Sequence, residues 1–122
     1  MGIGFHIKEY DCKARWSYTG FNRFRKRVAE SLALTLETDS NGRWVEQDWE
    51  KWDKDWLIFL THSDCSGYFT HFQCGRISKK LKSVLEKWEP KDLHYFYDLE
   101  HGLILVKAME YCNDNKKSMR IS

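Results

Sequence analysis

The clearest periodicity of hydrophobic and polar positions in this sequence lies between residues 20 and 34. Apolar residues recur there at spacings of three and four, and mostly basic side chains occupy the positions between them. The apolar residues are Phe21, Phe24, Val28 and Leu32. This spacing places them on one face of an α-helix. The pattern therefore predicts an amphipathic helix over residues 20–34, with Thr19 as its N-cap.

Two further helices are predicted in the second half of the chain. Thr70 and Gln73 form a capping box, in which each side chain satisfies a free backbone amide at the start of a helix. Apolar residues then continue at helical spacing until Pro90, which is expected to stop that helix. A last helix is predicted over residues 93–112, with Gly102 as the point at which it would break.

The segment before Thr70 is rich in tryptophan and in charge. Trp49, Trp52 and Trp56 share one helical face if residues 46–56 form a helix. The apolar run 56–60 fits either a buried strand or the end of that helix, because a run this short has no decisive period. Both interpretations remain open from the sequence alone.

Short strands are predicted elsewhere in the chain. Residues 3–8 alternate weakly between apolar and polar, and residues 13–18 lead into the turn signal Thr19-Gly20. The tail, residues 118–122, alternates again and predicts a final strand.

Residues 39–42 read Asp-Ser-Asn-Gly, and Asn-Gly is the strongest short signal for a hairpin. Its flanks, residues 34–36 and 43–45, are then candidates for pairing. Taken together, the elements predict one α+β domain over residues 1–122. In it, about three amphipathic helices pack on a small antiparallel sheet, as a single pair of layers.

Composition supports that picture and narrows the range of partners. The chain has 122 residues, of which 42% are hydrophobic and 16% aromatic, enough for one domain with a core of its own. Its 20 basic and 18 acidic residues give a net charge of only +2. A domain that binds nucleic acid is usually far more basic, so nucleic acid is the less favoured partner.

The sequence shows no signal for secretion and no membrane span. Its first residues lack a basic stretch followed by an apolar run, and no window approaches the roughly 18 apolar residues of a membrane helix. We therefore expect a cytoplasmic protein. Reducing compartments disfavour disulfides, so we expect its cysteines to be free thiols. They are Cys12, Cys65, Cys74 and Cys112.

Two segments stand out from the rest. Residues 16–25 begin Trp-Ser-Tyr-Thr-Gly-Phe, and residues 62–69 read His-Ser-Asp-Cys-Ser-Gly-Tyr-Phe. Together they resemble a family of small bacterial and bacteriophage proteins that share a Trp-Ser-Tyr-x-Gly-Phe segment and a His-Ser-Asp-Cys-x-Gly loop. The resemblance covers about residues 14–112. That family has no established activity, so the resemblance implies a shared fold and, by analogy with other small phage proteins, a host-interaction or anti-defence role.

The loop that begins at His62 permits three interpretations. Calcium would be held by oxygen ligands along the loop, but Asp64 is the one carboxylate at the ligand positions. Ser66 also stands where relatives often carry a second acid. Zinc is suggested by two pairs with ligand-like spacing, His62 with Cys65 and His71 with Cys74. A structural turn accounts for every residue type without a metal, so neither metal nor cofactor is expected.

Catalysis has little support in the sequence. A thiol-dependent enzyme would need Cys65 or Cys74 beside His62 or His71, and closeness in sequence does not establish that contact. Signatures of serine hydrolases, phosphate loops and dinucleotide-binding folds are absent. We therefore favour a non-enzymatic binding protein, and keep a thiol enzyme and a small metal- or nucleic-acid-binding domain as alternatives.

Aromatic rings beside basic residues suit either a flat anionic ligand, such as a nucleotide, or a protein partner. In the ligand version, aromatic side chains stack, arginines offset negative charge and the loop supplies hydrogen bonds. The candidate residues are Trp16, Tyr18, Arg23, Arg25, His62, Ser63 and Asp64. In the partner version, the face of Trp49, Trp52 and Trp56 docks instead.

Overall fold

Four α-helices and two small antiparallel sheets make up the chain as described by a computed structural model, which covers residues 2–41 and 43–122. The elements run in the order β1 (Gly2–Ile3), β2 (Phe5–His6), β3 (Trp16–Ser17), α1 (Tyr18–Ser31), α2 (Lys54–Thr61), β4 (Tyr68–Phe69), α3 (His71–Leu85), α4 (Leu93–Asn115) and β5 (Met119–Ile121). The predicted α+β class is confirmed. The sequence predicted about three helices and a single sheet, whereas the structure has four helices and two sheets.

Helix α1 begins two residues earlier than predicted. Its N-cap is Ser17 instead of Thr19, because the Ser17 hydroxyl accepts a hydrogen bond from the Gly20 amide at 3.0 Å. The helix ends at Ser31, where the Leu32 amide bonds back to Ala29 and Ala33 adopts a positive φ of 58°. Its buried face carries the predicted phenylalanines and valine.

The three tryptophans after residue 46 do not form a helical face. Trp49 opens a single 3₁₀ turn, Trp49–Lys51, and the chain is extended at Trp52. Asp53 then caps α2 by accepting hydrogen bonds from the amides of Asp55 and Trp56. The ambiguous run 56–60 is therefore helix, and Trp56 lies in its first turn.

Helices α3 and α4 form the most extensive helix pair. The capping box of Thr70 and Gln73 is confirmed, with both reciprocal hydrogen bonds present. Helix α3 ends at Leu85, five residues before Pro90, so the proline does not stop it. Helix α4 continues unbroken through Gly102. A Cβ at Gly102 would lie 2.9 Å from Leu85 and 3.0 Å from Phe24, so this glycine allows close packing where the sequence suggested a break.

The two sheets are made of strands of two or three residues. β1 pairs with β3, and the other sheet has the order β2-β5-β4, with all pairs antiparallel. The predicted tail strand is confirmed as β5, which is the middle strand. Of residues 13–18, only Trp16–Ser17 forms a strand.

The predicted hairpin is present as a single bridge. Thr38 pairs with Trp44, and the Asp39 carboxylate accepts from the amides of Asn41 at 2.8 Å and Arg43 at 3.0 Å. These bonds hold the turn, whose fourth residue, Gly42, lies outside the described residues. No helix of the described residues combines the length and hydrophobicity that crossing a membrane requires.

Candidate functional site

Trp16 and Arg23 meet around a carboxylate that the sequence analysis did not single out. Asp98 on α4 is fully buried and accepts hydrogen bonds from the Trp16 indole at 3.1 Å and from Arg23 Nη2 at 2.9 Å. Arg27 Nε lies 3.6 Å from its other oxygen. The hydrogen bonds that Arg23 donates to Asp98 raise the pKa of the Arg23 guanidinium. We name these four residues the Asp98 cluster, in which two guanidinium groups share one buried carboxylate.

Trp16 is part of the core. Its ring is 3% exposed and stacks on Phe24 with a centroid separation of 4.7 Å. A ligand would have to displace this packing before it could stack on the indole. Tyr18, the first residue of α1, is half-buried against the same core.

Arg25 is buried as well, and it donates to two backbone carbonyls and to the side-chain oxygen of Asn22 at 2.9 Å. Its Nη1 donates to the carbonyl oxygens of His62 at 2.7 Å and Phe59 at 3.4 Å, at the C-terminal end of α2. A cation at this end complements the helix dipole and satisfies carbonyls that the helix leaves free. Burial lowers the pKa of Arg25 to about 10, and Asp64 opposes that shift. The arginine therefore joins α1 to the end of α2.

The loop after α2 is held by its own side chains. The two His62 ring nitrogens lie within hydrogen-bond distance of the carbonyls of Ser63 at 2.8 Å and Tyr68 at 3.3 Å. Gly67 has a φ of 88°, which a residue with a side chain rarely adopts. The hollow between this loop and Arg25 has a volume of about 100 Å³. That volume falls well below the roughly 300 Å³ of the smallest common ligand sites.

The predicted ligand residues are thus in two places. Trp16 and Arg23 belong to the Asp98 cluster, whereas Arg25, His62, Ser63 and Asp64 surround the small hollow. The structure does not bring the two sets into one pocket.

The tryptophans of the partner hypothesis are mostly covered. Trp52 and Trp56 are each 8% exposed, and Trp49 packs edge-on against Trp52 with a centroid separation of 5.0 Å. Large apolar side chains meet solvent elsewhere. They are Val45, Tyr68, Phe72, Leu93, Phe96, Tyr97 and Leu103.

The cysteines form no thiol–imidazole pair within the described residues. Cys74 is fully buried in α3, and its contact with Cys112 together with its burial raises the thiol pKa. Cys65 is exposed, and its sulfur lies 3.5 Å from the Ser63 hydroxyl. The described residues also bring together no three His, Cys, Asp or Glu side chains that could hold a metal ion. The zinc-like spacing from His62 to Cys74 therefore does not become a cluster.

His101 forms a separate polar contact near the Asp98 cluster. Its Nδ1 accepts a hydrogen bond from the Arg15 amide at 3.0 Å, and its ring stacks on Tyr97 at 4.0 Å. Burial lowers the pKa of His101. The hydrogen bond from the Arg15 amide uses the lone pair of an unprotonated Nδ1.

A groove lies between the ends of α1 and α3 and the starts of α2 and α4. It has a volume of about 710 Å³. Aromatic rings form its floor and lysines line it, and we call it the lysine groove. The aromatic residues are Trp56, Trp88 and Tyr95, and the lysines are Lys79, Lys80 and Lys87. Ser31, Leu32, Asp53, Ser83 and Val84 complete the lining.

The floor of the lysine groove is rigid. The Trp88 indole donates to the Ser31 hydroxyl at 2.8 Å, and its ring meets Tyr95 edge-on at 5.2 Å. Tyr95 in turn lies under the guanidinium of Arg27, whose Cζ is 4.0 Å from the ring centroid. These contacts fix the rings of Trp88 and Tyr95 before any ligand arrives.

The charges of the lysine groove are partly paired. Lys80 bonds to Asp53 at 2.8 Å and to Asp55 at 3.0 Å, and Arg76 also bonds to Asp55. The bond from Lys80 lowers the pKa of Asp53, and the two acids raise the pKa of Lys80. Within the described residues, Lys79 and Lys87 form no ion pair. The groove therefore keeps two unpaired positive charges.

A second groove, of about 510 Å³, runs along the outer face of α1. Basic side chains predominate in its lining, and we call it the arginine groove. Its residues are Thr19, Asn22, Arg23, Lys26, Arg27, Glu30 and Thr38.

Comparisons of the chain with protein-family models, with curated proteins and with solved structures find no match. The family resemblance of residues 16–25 and 62–69 therefore stays a prediction.

Proposed function

We propose that this chain is a non-enzymatic binding protein for a small anionic molecule with a flat apolar part, such as a nucleotide. The observation that carries the proposal is the lysine groove. Its volume of about 710 Å³ lies within the roughly 300–1,000 Å³ of small-molecule sites. Such sites are usually lined by apolar and aromatic side chains with a few polar groups that fix orientation. This groove combines five apolar or aromatic residues with six polar or charged ones.

The charge distribution supports an anionic ligand. Lys79 and Ser83 lie one turn apart on α3, and Lys87 follows two residues after that helix ends. The single acid in the lining, Asp53, is neutralised by Lys80. An anion entering the groove therefore meets two ammonium groups and a hydroxyl, without a free carboxylate to repel it.

The aromatic floor supports a flat group on the ligand. Trp56, Trp88 and Tyr95 line one cavity; Trp56 and Trp88 are each 8% exposed, and Trp88 and Tyr95 hold each other by an edge-on contact. Because these rings are already ordered, a ligand that packs on them causes little further loss of conformational entropy. The small hollow beside His62 offers no comparable surface.

The proposal is tested by titrating tryptophan fluorescence with a nucleoside monophosphate and with the matching nucleoside. Trp56 and Trp88 lie in the groove, so we expect a saturable change with the monophosphate and a much weaker one without the phosphate. The double substitution Lys79→Gln and Lys87→Gln removes both unpaired ammonium groups of the groove. It should weaken binding by about tenfold or more, which corresponds to about 1.4 kcal/mol or more.

The matched control is Lys82→Gln, which removes an exposed lysine of the same helix that does not line the groove. A further variant, Ser83→Tyr, fills the groove from its exposed edge without altering the core. Equal affinities for the double lysine variant and the Lys82→Gln control would contradict the proposal, as would the absence of any saturable change.

A further inference from the structure

We propose that the ligand of the lysine groove is a single-stranded oligonucleotide that continues into the arginine groove. This inference rests on the proposed function, because it uses the same site and names a longer ligand for it. The two grooves, of about 710 Å³ and 510 Å³, adjoin each other.

Arg27 and Tyr95 establish where the grooves meet. Tyr95 lines the lysine groove and Arg27 lines the arginine groove, and the Arg27 guanidinium lies 4.0 Å above the tyrosine ring. One stacked pair therefore separates the two cavities. Along α1 the same boundary falls between Glu30, which lines the arginine groove, and Ser31, which lines the lysine groove.

The lining of the two grooves is more basic than the chain as a whole. Six basic side chains line them against two acidic ones, although Arg23 and Arg27 are paired with the buried Asp98, and Lys80 with Asp53 and Asp55. The basic residues are Arg23, Lys26, Arg27, Lys79, Lys80 and Lys87. The net charge of +2 averages over all surfaces, and so hides this concentration on one side of the fold. A continuous basic track is the feature that follows a phosphate backbone.

The length of the track exceeds what a mononucleotide needs. From Thr19 to Ser31 the track follows α1 for about 18 Å, and from Lys79 to the end of α3 at Leu85 it follows that helix for about 9 Å, at 1.5 Å per helical residue. A single nucleotide occupies one of these grooves only. A strand of several nucleotides uses both sets of cations.

Aromatic side chains along a basic groove are typical of proteins that bind single strands, because unpaired bases can stack on the rings. The rings here lie on the floor of a groove, where a stiff duplex with its bases stacked inward could not reach them. Tyr95 lies where the two grooves meet, with one face of its ring against the Arg27 guanidinium. Single-stranded nucleic acid is therefore the polyanion that fits both features.

The test compares thymidine monophosphate, an oligothymidylate of about eight nucleotides and a duplex of the same length. We expect the oligothymidylate to bind at least tenfold more tightly than the monophosphate, and more tightly than the duplex. Lys26→Gln removes a cation that lines only the arginine groove. It should weaken oligonucleotide binding several-fold and lower the slope of log K against log salt by about 0.7. Binding of the monophosphate should not change.

The outcomes separate the two proposals. If the monophosphate binds and depends on Lys79 and Lys87, but the oligonucleotide binds no more tightly, the extension is wrong and the proposed function stands. If neither binds, both are wrong. If the oligonucleotide binds tightly but Lys26→Gln behaves like the Lys82→Gln control, the strand does not run through the arginine groove, and the inference is wrong.

Discussion

The Asp98 cluster and the lysine groove contain the same kinds of side chain, and they differ in where the acid lies. In the Asp98 cluster the carboxylate is fully buried, and Trp16, Arg23 and Arg27 converge on it. In the lysine groove the acid is at the edge, where it pairs with Lys80 and leaves Lys79 and Lys87 unpaired. The first arrangement uses its charges to join α1 to α4. The second leaves charge available to a ligand.

This difference shows that a tryptophan followed by arginines does not by itself indicate a binding site. Whether such residues are structural depends on an acid that can be far away in the sequence. Asp98 is 75 residues from Arg23 and 82 from Trp16. The comparison predicts that changes in the cluster affect stability and that changes in the groove affect binding.

The largest loss of folding stability is expected when Asp98 is replaced. Asp98→Ala leaves two arginines partly buried without their counter-ion, and we expect the free energy of unfolding to fall by about 3–5 kcal/mol. Urea denaturation measures this free energy of unfolding. Glu100→Gln, an exposed acid on the same helix, is the control and should change stability by less than about 0.5 kcal/mol. Similar losses for the two variants would show that the cluster is not a structural centre.

A smaller loss of stability is expected when an indole hydrogen bond is removed, either that of Trp16 in the Asp98 cluster or that of Trp88 in the lysine groove. Trp16→Phe removes a hydrogen bond to a carboxylate and should cost about 1.5–3 kcal/mol, whereas Trp88→Phe removes one to a hydroxyl and should cost about 0.5–1.5 kcal/mol. Both variants keep an aromatic ring, so thermal or urea unfolding compares the bonds directly. The reverse order would contradict the distinction between cluster and groove.

The pH dependence of stability should report on His101, beside the cluster. Its pKa is lowered by burial in the folded state, so the unfolded chain takes up a proton first, near pH 6.5. The contribution of His101 is therefore complete above about pH 6.5 and is lost as the pH falls toward the lowered pKa. We expect His101→Gln to lessen the fall of the melting temperature on acidification. His94→Gln, an exposed site on α4, should leave the fall unchanged, and an equal effect of both would contradict the assignment.

The smallest effect on stability is expected in the lysine groove. Lys79→Gln with Lys87→Gln removes two exposed charges without ion pairs and should change the free energy of unfolding by less than about 0.5 kcal/mol. Urea denaturation of the same preparation that shows weakened ligand binding would check it. A loss above 1 kcal/mol would mean that these lysines also support the fold.

Local features of the fold were predictable from the sequence. The capping box at Thr70 needs only residues three positions apart, and the apolar stripe of α1 repeats within one helix. The end of α3 was not predictable from Pro90, because the chain leaves the helix five residues earlier. The predicted break at Gly102 was also wrong. The close approach of Phe24 and Leu85, which requires a glycine there, is a long-range contact that no local pattern reveals.

The candidate site was largely beyond reach of the sequence. Its floor comes from three separate segments, and no local pattern links Trp56 to Tyr95. One signal was present for the cluster. Asp98 lies four residues before Gly102 and seven before Leu105, which places it on the buried face of α4. An acid on a buried face needs cationic partners, so this position indicates an internal ion pair.

The position of β5 links the two ends of the described chain to the loop that the sequence made conspicuous. As the middle strand it pairs with β2 and β4 at once, and the Ile121 amide donates to the Gly67 carbonyl at 3.0 Å. Trimming residues 119–122, or attaching a bulky tag there, would therefore disturb the approach to α3 as well as the sheet.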